Sequence, residues 1–345
     1  MLTFRQQSVL RLFTLVLALV AGLAIALSAM LSAAQAAPVG KLTQFKVPTG
    51  GSSPDHITEA SDGNFWFTES FINNQNASGH NLGRITPTGE VTEFQVCDFC
   101  FPNDIVQGSD GFLYFTSNDG LGRISTNGDS VSFINAPFSV GGNALDAHAN
   151  DIWITDFNRR SLWRYDILTG EFTDFPLSDT NTISPHDIAV AGNGAVWFGA
   201  SDLSDQGEQG LIGRLDPAAP TTTETVTTFQ VDAVPRAINI STDNKVWFTA
   251  RFTPQALGYF DPATSTAAVF PTDGGPQDIA PAPDGAMWFT RTTAGNIARI
   301  NADGVITAEL KAVKGSEPFG ITVASNGDPW FTMLSADKIA TFQLR

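Results

Sequence analysis

Residues 62–69 read Asp62-Gly63-Asn64-Phe65-Trp66-Phe67-Thr68-Glu69, a two-residue polar turn leading into a run of aromatic residues. Asp-Gly before such a run is the mark of a hairpin strand, because the turn needs a positive φ that Gly accepts at little cost. What decides the fold is that this stretch recurs. Its core appears as FWFTE at 65–69, LYFTS at 113–117, IWITD at 152–156, VWFGA at 196–200, VWFTA at 246–250, MWFTR at 287–291 and PWFTM at 329–333. The aromatic anchors Trp66, Tyr114, Trp153, Trp197, Trp247, Trp288 and Trp330 lie 39 to 50 residues apart, the length of one four-stranded propeller blade. Seven anchors in phase mark a packed core and not a cofactor box.

Two further strands keep step with the anchor. Upstream is a Pro-x-x-apolar strand, as PDHIT at 54, PNDIV at 102, PHDIA at 185, PRAIN at 235, PQDIA at 276 and PFGIT at 318. Downstream is a third strand, as LGRI at 82 and 121, LWRY at 162, IGRL at 212, LGYF at 257, IARI at 297 and IATF at 339. Its repeated arginines, Arg84, Arg123, Arg214 and Arg299, are expected to be structural. Each third strand except the last leads to an outer strand, such as VTEFQV or VTTFQV. The chain stops at Arg345 before a seventh outer strand, and the missing one stands at the other end as LTQFKVP at 42–48. The expected fold is therefore all-β: a seven-bladed β-propeller of four-stranded blades, its ring closed by the N-terminal strand so that two sheet edges are hidden. Blade three departs from the pattern, with GGNALDA at 141–147 lacking the proline and Ala149-Asn150 replacing Asp-Gly.

Residues 1–37 read as a cleavable signal peptide ahead of a propeller spanning 38–345. Arg5 and Arg11 precede an apolar run from Phe13 to Leu31, and Ala34-Gln35-Ala36 offers the small-x-small cleavage pattern. An uncleaved membrane anchor is the alternative. The chain is expected to be secreted or periplasmic. The leader holds two of the 19 basic residues and no acid, so the mature chain carries 17 basic against 35 acidic groups, a net charge of −18. Such a surface repels phosphate backbones and anionic lipid heads, which argues against nucleic acid and membrane-surface partners. Cys97 and Cys100, the only cysteines, are expected to form a local disulfide in an exported chain. No phosphate-binding glycine loop, serine nucleophile elbow or H-E-x-x-H pattern is present.

Strand alternation puts the residue after each proline and the residue after each Phe-Thr on one face, around the central mouth where propellers bind ligands. The first set includes Asp55, Asn103, His186, Arg236, Gln277 and Phe319; the second includes Glu69, Ser117, Asp156, Arg291 and Met333. Two long loops, 70–81 and 201–210, are expected to wall this mouth. Asp104, Asp187 and Asp278 follow the rim residues, and pleating is expected to turn them toward neighbouring blades.

The repeat resembles the streptogramin (virginiamycin B) lyase family, through Pro318-Phe319-Gly320-Ile321-Thr322, Asp62 to Glu69 and Leu82-Gly83-Arg84-Ile85-Thr86-Pro87-Thr88-Gly89. The similarity covers essentially the whole mature chain. It implies a propeller, and an enzyme that opens cyclic depsipeptide lactones by Mg²⁺-assisted β-elimination. It also implies a catalytic set of two histidines and two glutamates in the last two blades. Carried over position by position, only Glu317 survives; the histidine positions hold Gln277 and Phe319, and the final glutamate position holds Met333. A phenylalanine moves no proton, and a thioether is a poor Mg²⁺ ligand.

Three constellations could host chemistry instead. His186 is a candidate base or ligand supported by Asp156, or else a hydrogen-bonded rim histidine. Glu317, Asp55 and Glu69, from blades that meet on closure, are a candidate oxygen site for Mg²⁺ or Ca²⁺, or else solvated rim acids. Arg236 and Arg291, flanking Gln277, are a candidate clamp for a carboxylate or phosphate, or else pair with rim acids. The expected function is the binding of a small molecule or protein partner at the mouth of a monomer. The alternatives are a Mg²⁺-assisted lyase with a relocated site, or a metal-dependent lactone or ester hydrolase.

Overall fold

The computed structural model describes residues 40–70, 80–98, 100–137, 144–178, 180–204, 208–217, 226–252 and 254–344. The leader reading, and most of the 70–81 loop, lie outside them. The described residues form seven antiparallel four-stranded sheets. In six, the strands run consecutively from inner to outer edge. The seventh has the order expected of a closed ring: Pro318–Val323, Pro329–Met333, Lys338–Leu344 and then Gly40–Lys46 on the outside. The first strand pairs with the last in continuous register, from Gly40 opposite Leu344 to Lys46 opposite Lys338. Blade three is complete despite its weak sequence, with strands from Leu145–His148 to Phe172–Pro176, and Ala149 takes the left-handed turn position at φ 51°.

The sequence pattern is explained by packing within and between blades. Trp66, Trp153, Trp247 and Trp288 are fully buried between neighbouring sheets. The glycine of L-G-R-I exists because the Phe-Thr phenylalanine lies flat on it: a Cβ on Gly83 would run into the Phe67 ring, and one on Gly122 into that of Phe115. The following arginine covers the aromatic anchors, with Arg84 5.7 Å from the Trp66 centroid and Arg214 5.8 Å from that of Trp197. These are cation–π contacts on the blade wall, which is the structural role expected of them.

The threonine of Phe-Thr ties blades together. Thr332 Oγ1 accepts from the Gly320 amide of its own inner strand at 2.9 Å and donates to the Asp55 carbonyl of blade one at 2.6 Å. Thr68, Thr249 and Thr290 donate in the same way to Asn103, Gln277 and Phe319 of the next blade. Blade four has Gly199 here because a Cβ would meet Ile238 and Pro235 of blade five at 2.9 Å. At the closure, Phe65 stacks on Trp330 at 4.2 Å, and the Gly51 and Ser53 amides donate to the Asp337 carboxylate.

Candidate functional site

The inner strands surround an axial cavity of about 520 Å³. Their bulges set what lines it. In blades one, six and seven the register slips between the proline and the isoleucine three residues on, and in blade four between Pro185 and Asp187. A bulge re-aims the residues inside it. The residue after the proline faces the mouth, and the next one reaches sideways. Asp104 accepts from the Leu145 amide of the next blade, Asp187 from Ile238 and Asp278 from Ile321, at 2.7 to 2.9 Å. Each also accepts from the amide directly following it. Blades three and five carry Ala144 and Ala237 at that position, and Asp146 and Asn239 two residues later make the inter-blade bonds to Val190 and Ile279. The expected sideways turn of Asp104, Asp187 and Asp278 is thus what the structure has.

This ring of carboxylates lines the cavity while surrounded by protein on its other sides. Burial drives Asp187 up to about 8, and Asp146 and Asp278 to about 6; the Asp104 charge adds to all three rises. His56, in the same ring, has its Nδ1 3.1 Å from the Asn103 carbonyl and 3.3 Å from the Asp55 carboxylate. Burial by itself would lower its pKa, but Asp104, Asp55 and Asp278 outweigh that and raise it well above the usual value. The rim pattern does not single out His56, because the position after the rim residue reads as purely structural.

His186 sits at the mouth between blades four and five, not with Asp156. Its Nε2 is 3.0 Å from Ser201 Oγ, and its Nδ1 is 3.1 Å from an Arg236 guanidinium nitrogen. The same guanidinium nitrogen lies 3.4 Å from Nε2, so it sits beside both ring nitrogens. Burial and then the Arg236 charge depress the imidazole to about 3. Asp156 instead accepts from the Arg159 amide at 2.9 Å, with the Arg159 guanidinium 3.9 Å away.

The three carboxylates expected at the closure do not converge. Asp55 accepts from the Ser70 hydroxyl at 2.8 Å, and Glu317 from the Ser335 hydroxyl. Glu69 is 0% exposed and faces into the junction, where Asn81 donates to it at 3.3 Å. Burial, then the charge of Glu93, push it up to about 8. Among the described residues no metal-ligating cluster includes any of the three; the one found is Cys97, Cys100 and Asp119, and its sulfurs are joined in a disulfide.

The arginine clamp is also rearranged. Arg291 is buried and held by Glu309 (2.6 Å) and Asp273, with its Nε donating to the Asp273 carbonyl, so it turns away from Gln277. Arg236 pairs with Glu208 at 3.3 Å. Gln277 accepts instead from Arg251, at 2.8 Å. Arg251 escaped the sequence reading because it stands one residue beyond the position taken as the rim. Apolar residues just after the second strands also escaped it: Phe157 and Phe252 are 48% and 61% exposed beside His186 and Arg236. Large aromatics where a strand runs out into solvent were the available clue.

The same ring recurs among known proteins. The chain matches the Virginiamycin B lyase family over residues 31–228 and 220–345. It belongs to that family. Solved propellers of the family superpose on it. A streptogramin B lyase structure has TM-score 0.75 at 23% identity, over 90% of this chain and 99% of the other. The virginiamycin B lyase from Staphylococcus aureus gives 0.72 at 23%, over 89% and 100%. A catalytically inactive variant of that enzyme with quinupristin gives 0.73 at 23%, over 89% and 100%. At this identity the likeness speaks for the fold alone. No curated protein matches the chain by sequence.

The family's Mg²⁺ would need the residues of the last two blades. Met333 is fully buried in the apolar cluster with Phe331 and Ile321. Phe319 packs edge-on against His56, with centroids 6.3 Å apart. Gln277 is engaged by Arg251, which leaves Glu317 as the single carboxylate. One carboxylate, a buried thioether and a phenyl ring do not fit an ion that takes hard oxygen ligands.

Proposed function

We propose that this member of the virginiamycin B lyase family is an exported propeller that binds a small ligand or partner at its mouth without the family's elimination chemistry. The observation that carries the reading is the composition of the last two blades. Elimination needs a base to take a proton and an acid or metal to stabilise the leaving group. Where the resemblance puts those groups, the chain has Gln277, Phe319 and Met333: none titrates, and the one hard oxygen among them, the Gln277 carbonyl, is taken by Arg251. His186, depressed to about 3 by burial and the Arg236 charge, is a weak base, which argues likewise against an ester hydrolase built on His186 and Ser201. Binding is supported by the cavity of about 520 Å³ and by polar rim groups beside exposed aromatic surface. Export rests on the leader pattern, and the Cys97–Cys100 disulfide agrees with it.

The test is a thermal-shift screen of the mature chain against a broad panel of small organic molecules. Ligands of the folded mouth raise Tm by mass action. The expected result is a hit whose shift disappears in His186→Ala. Hits that survive His186→Ala and Arg236→Ala alike would place binding elsewhere and refute the reading.

A further inference from the structure

The rim of blades three to five presents four flat side chains in a row. The Phe157 and His186 ring centroids are 5.8 Å apart, Arg236 reaches His186 at 3.1 Å, and the Arg236 guanidinium lies 4.9 Å from the Phe252 centroid. Both ends of the row are open to solvent, although aromatic surface is what a fold ordinarily hides.

The charge at this rim is as unusual as its apolarity. In a chain of net charge −16, an arginine has many acids within reach. Arg251 nevertheless has its guanidinium on the neutral amide of Gln277, and among the described residues it has no carboxylate within ion-pair distance. Among the described residues Arg236 has Glu208 as its one carboxylate partner, itself 45% exposed at its side chain, and an exposed pair of this kind exchanges readily. Two neighbouring groups do not offset this positive rim at neutral pH. Asp187 beneath it, raised to about 8, is largely protonated, and His186 is neutral.

We propose that blades three to five form a binding site for an aromatic carboxylate, with its ring laid against the Phe157–Phe252 row and its carboxylate paired to Arg251. Guanidinium and carboxylate match as a planar fork, and the stacked Arg236 extends the apolar floor for a ring. Glu208 is the internal stand-in that a ligand carboxylate competes with at Arg236. The same chemistry is presented by a free aromatic acid and by a peptide ending in Phe or Trp. This assignment rests on the mouth-binding reading and narrows it to one ligand class.

Isothermal titration of the mature chain with phenylacetate, indole-3-acetate and a short peptide ending in Phe tests it, each beside its primary amide. The acids are expected to bind with submillimolar Kd and their amides at least about tenfold more weakly. Arg251→Gln is expected to cost the acids about tenfold and leave the amides unchanged. Phe252→Ala, at an exposed position that does not threaten folding, should weaken both, and Glu208→Gln should tighten the acids. Tighter binding of the peptide identifies a chain terminus as the source; tighter binding of the free acids identifies a small metabolite. Equal binding of acid and amide, or no effect of Arg251→Gln, overturns the proposal. If that happens while the thermal-shift screen still yields a His186-dependent ligand, the mouth reading stands and this assignment falls. If neither experiment yields a ligand, both fall.

Discussion

The threonine of Phe-Thr shows how one side chain serves two blades. Thr332 is fully buried, and its hydroxyl satisfies an amide in blade seven and a carbonyl in blade one. Thr332→Val keeps the shape and removes both bonds, leaving two buried backbone groups without partners, each worth about 1–3 kcal/mol. Urea unfolding should therefore show a loss of about 2–4 kcal/mol, and an unchanged midpoint would deny that the hydroxyl closes the ring. At this scale the sequence was readable where a residue type repeats. The sideways aspartates followed from strand pleating, because Asp104, Asp187 and Asp278 share one phase. What could not be read was which side chains pair, within a blade or between two. Nothing in the spacing says that His186 meets Arg236 and not Asp156, or that Arg291 is taken by Asp273 and Glu309. Those choices depend on loop paths and rotamers, which no repeat encodes.

Among elements, the first strand matters most. Gly40–Lys46 contributes no catalytic-type residue, yet it supplies the outer edge of blade seven and places Phe45 on Trp330 at 5.7 Å. A mature chain beginning at Pro48 should expose the edge of Lys338–Leu344, and exposed edges template association. Light scattering is expected to show aggregation of that truncated chain under conditions where the chain beginning at Pro38 stays dispersed. Equal solubility of the two would contradict the closure. The Cys97–Cys100 disulfide, by contrast, spans a separation of three residues and removes little entropy from the unfolded chain. Its replacement by two serines should cost no more than about 2 kcal/mol. The strand pattern was legible because hairpin turns, proline starts and aromatic anchors recur in phase. Even blade three, without its proline and its Asp-Gly turn, was identifiable from IWITD and LWRY alone, since the neighbouring blades leave a gap that only a full sheet fills.

For the whole molecule, its buried carboxyls predict how stability changes with pH. Glu69 and Asp187 have folded values of about 8, far above the roughly 4 of an unfolded carboxyl, so the folded state holds protons that the unfolded chain releases. Their contribution is complete below the unfolded value and is lost as pH climbs toward 8. His56, also raised, acts in the same sense above 6.5. His186 opposes them only below 6.5, because its folded value of about 3 leaves it neutral where the unfolded chain is protonated. Between about pH 6.5 and 8.5 these effects agree, and Tm should fall by about 3–8 °C. A flat or rising Tm across that window would contradict the raised values of Glu69 and Asp187. Protonation of Asp187 thus leaves the channel less negative at pH 7 than its composition suggests, while Asp146 and Asp278, at about 6, stay largely ionised. That balance is a property of the closed ring, invisible in net charge.

The claim on which the functional account turns is that this family member has exchanged elimination for binding. Mass spectrometry of a streptogramin B antibiotic incubated with the mature chain and Mg²⁺ measures it directly. The account predicts that the cyclic mass persists unchanged, with or without EDTA. A linear, ring-opened product that depends on Mg²⁺ and vanishes in Glu317→Ala would contradict it.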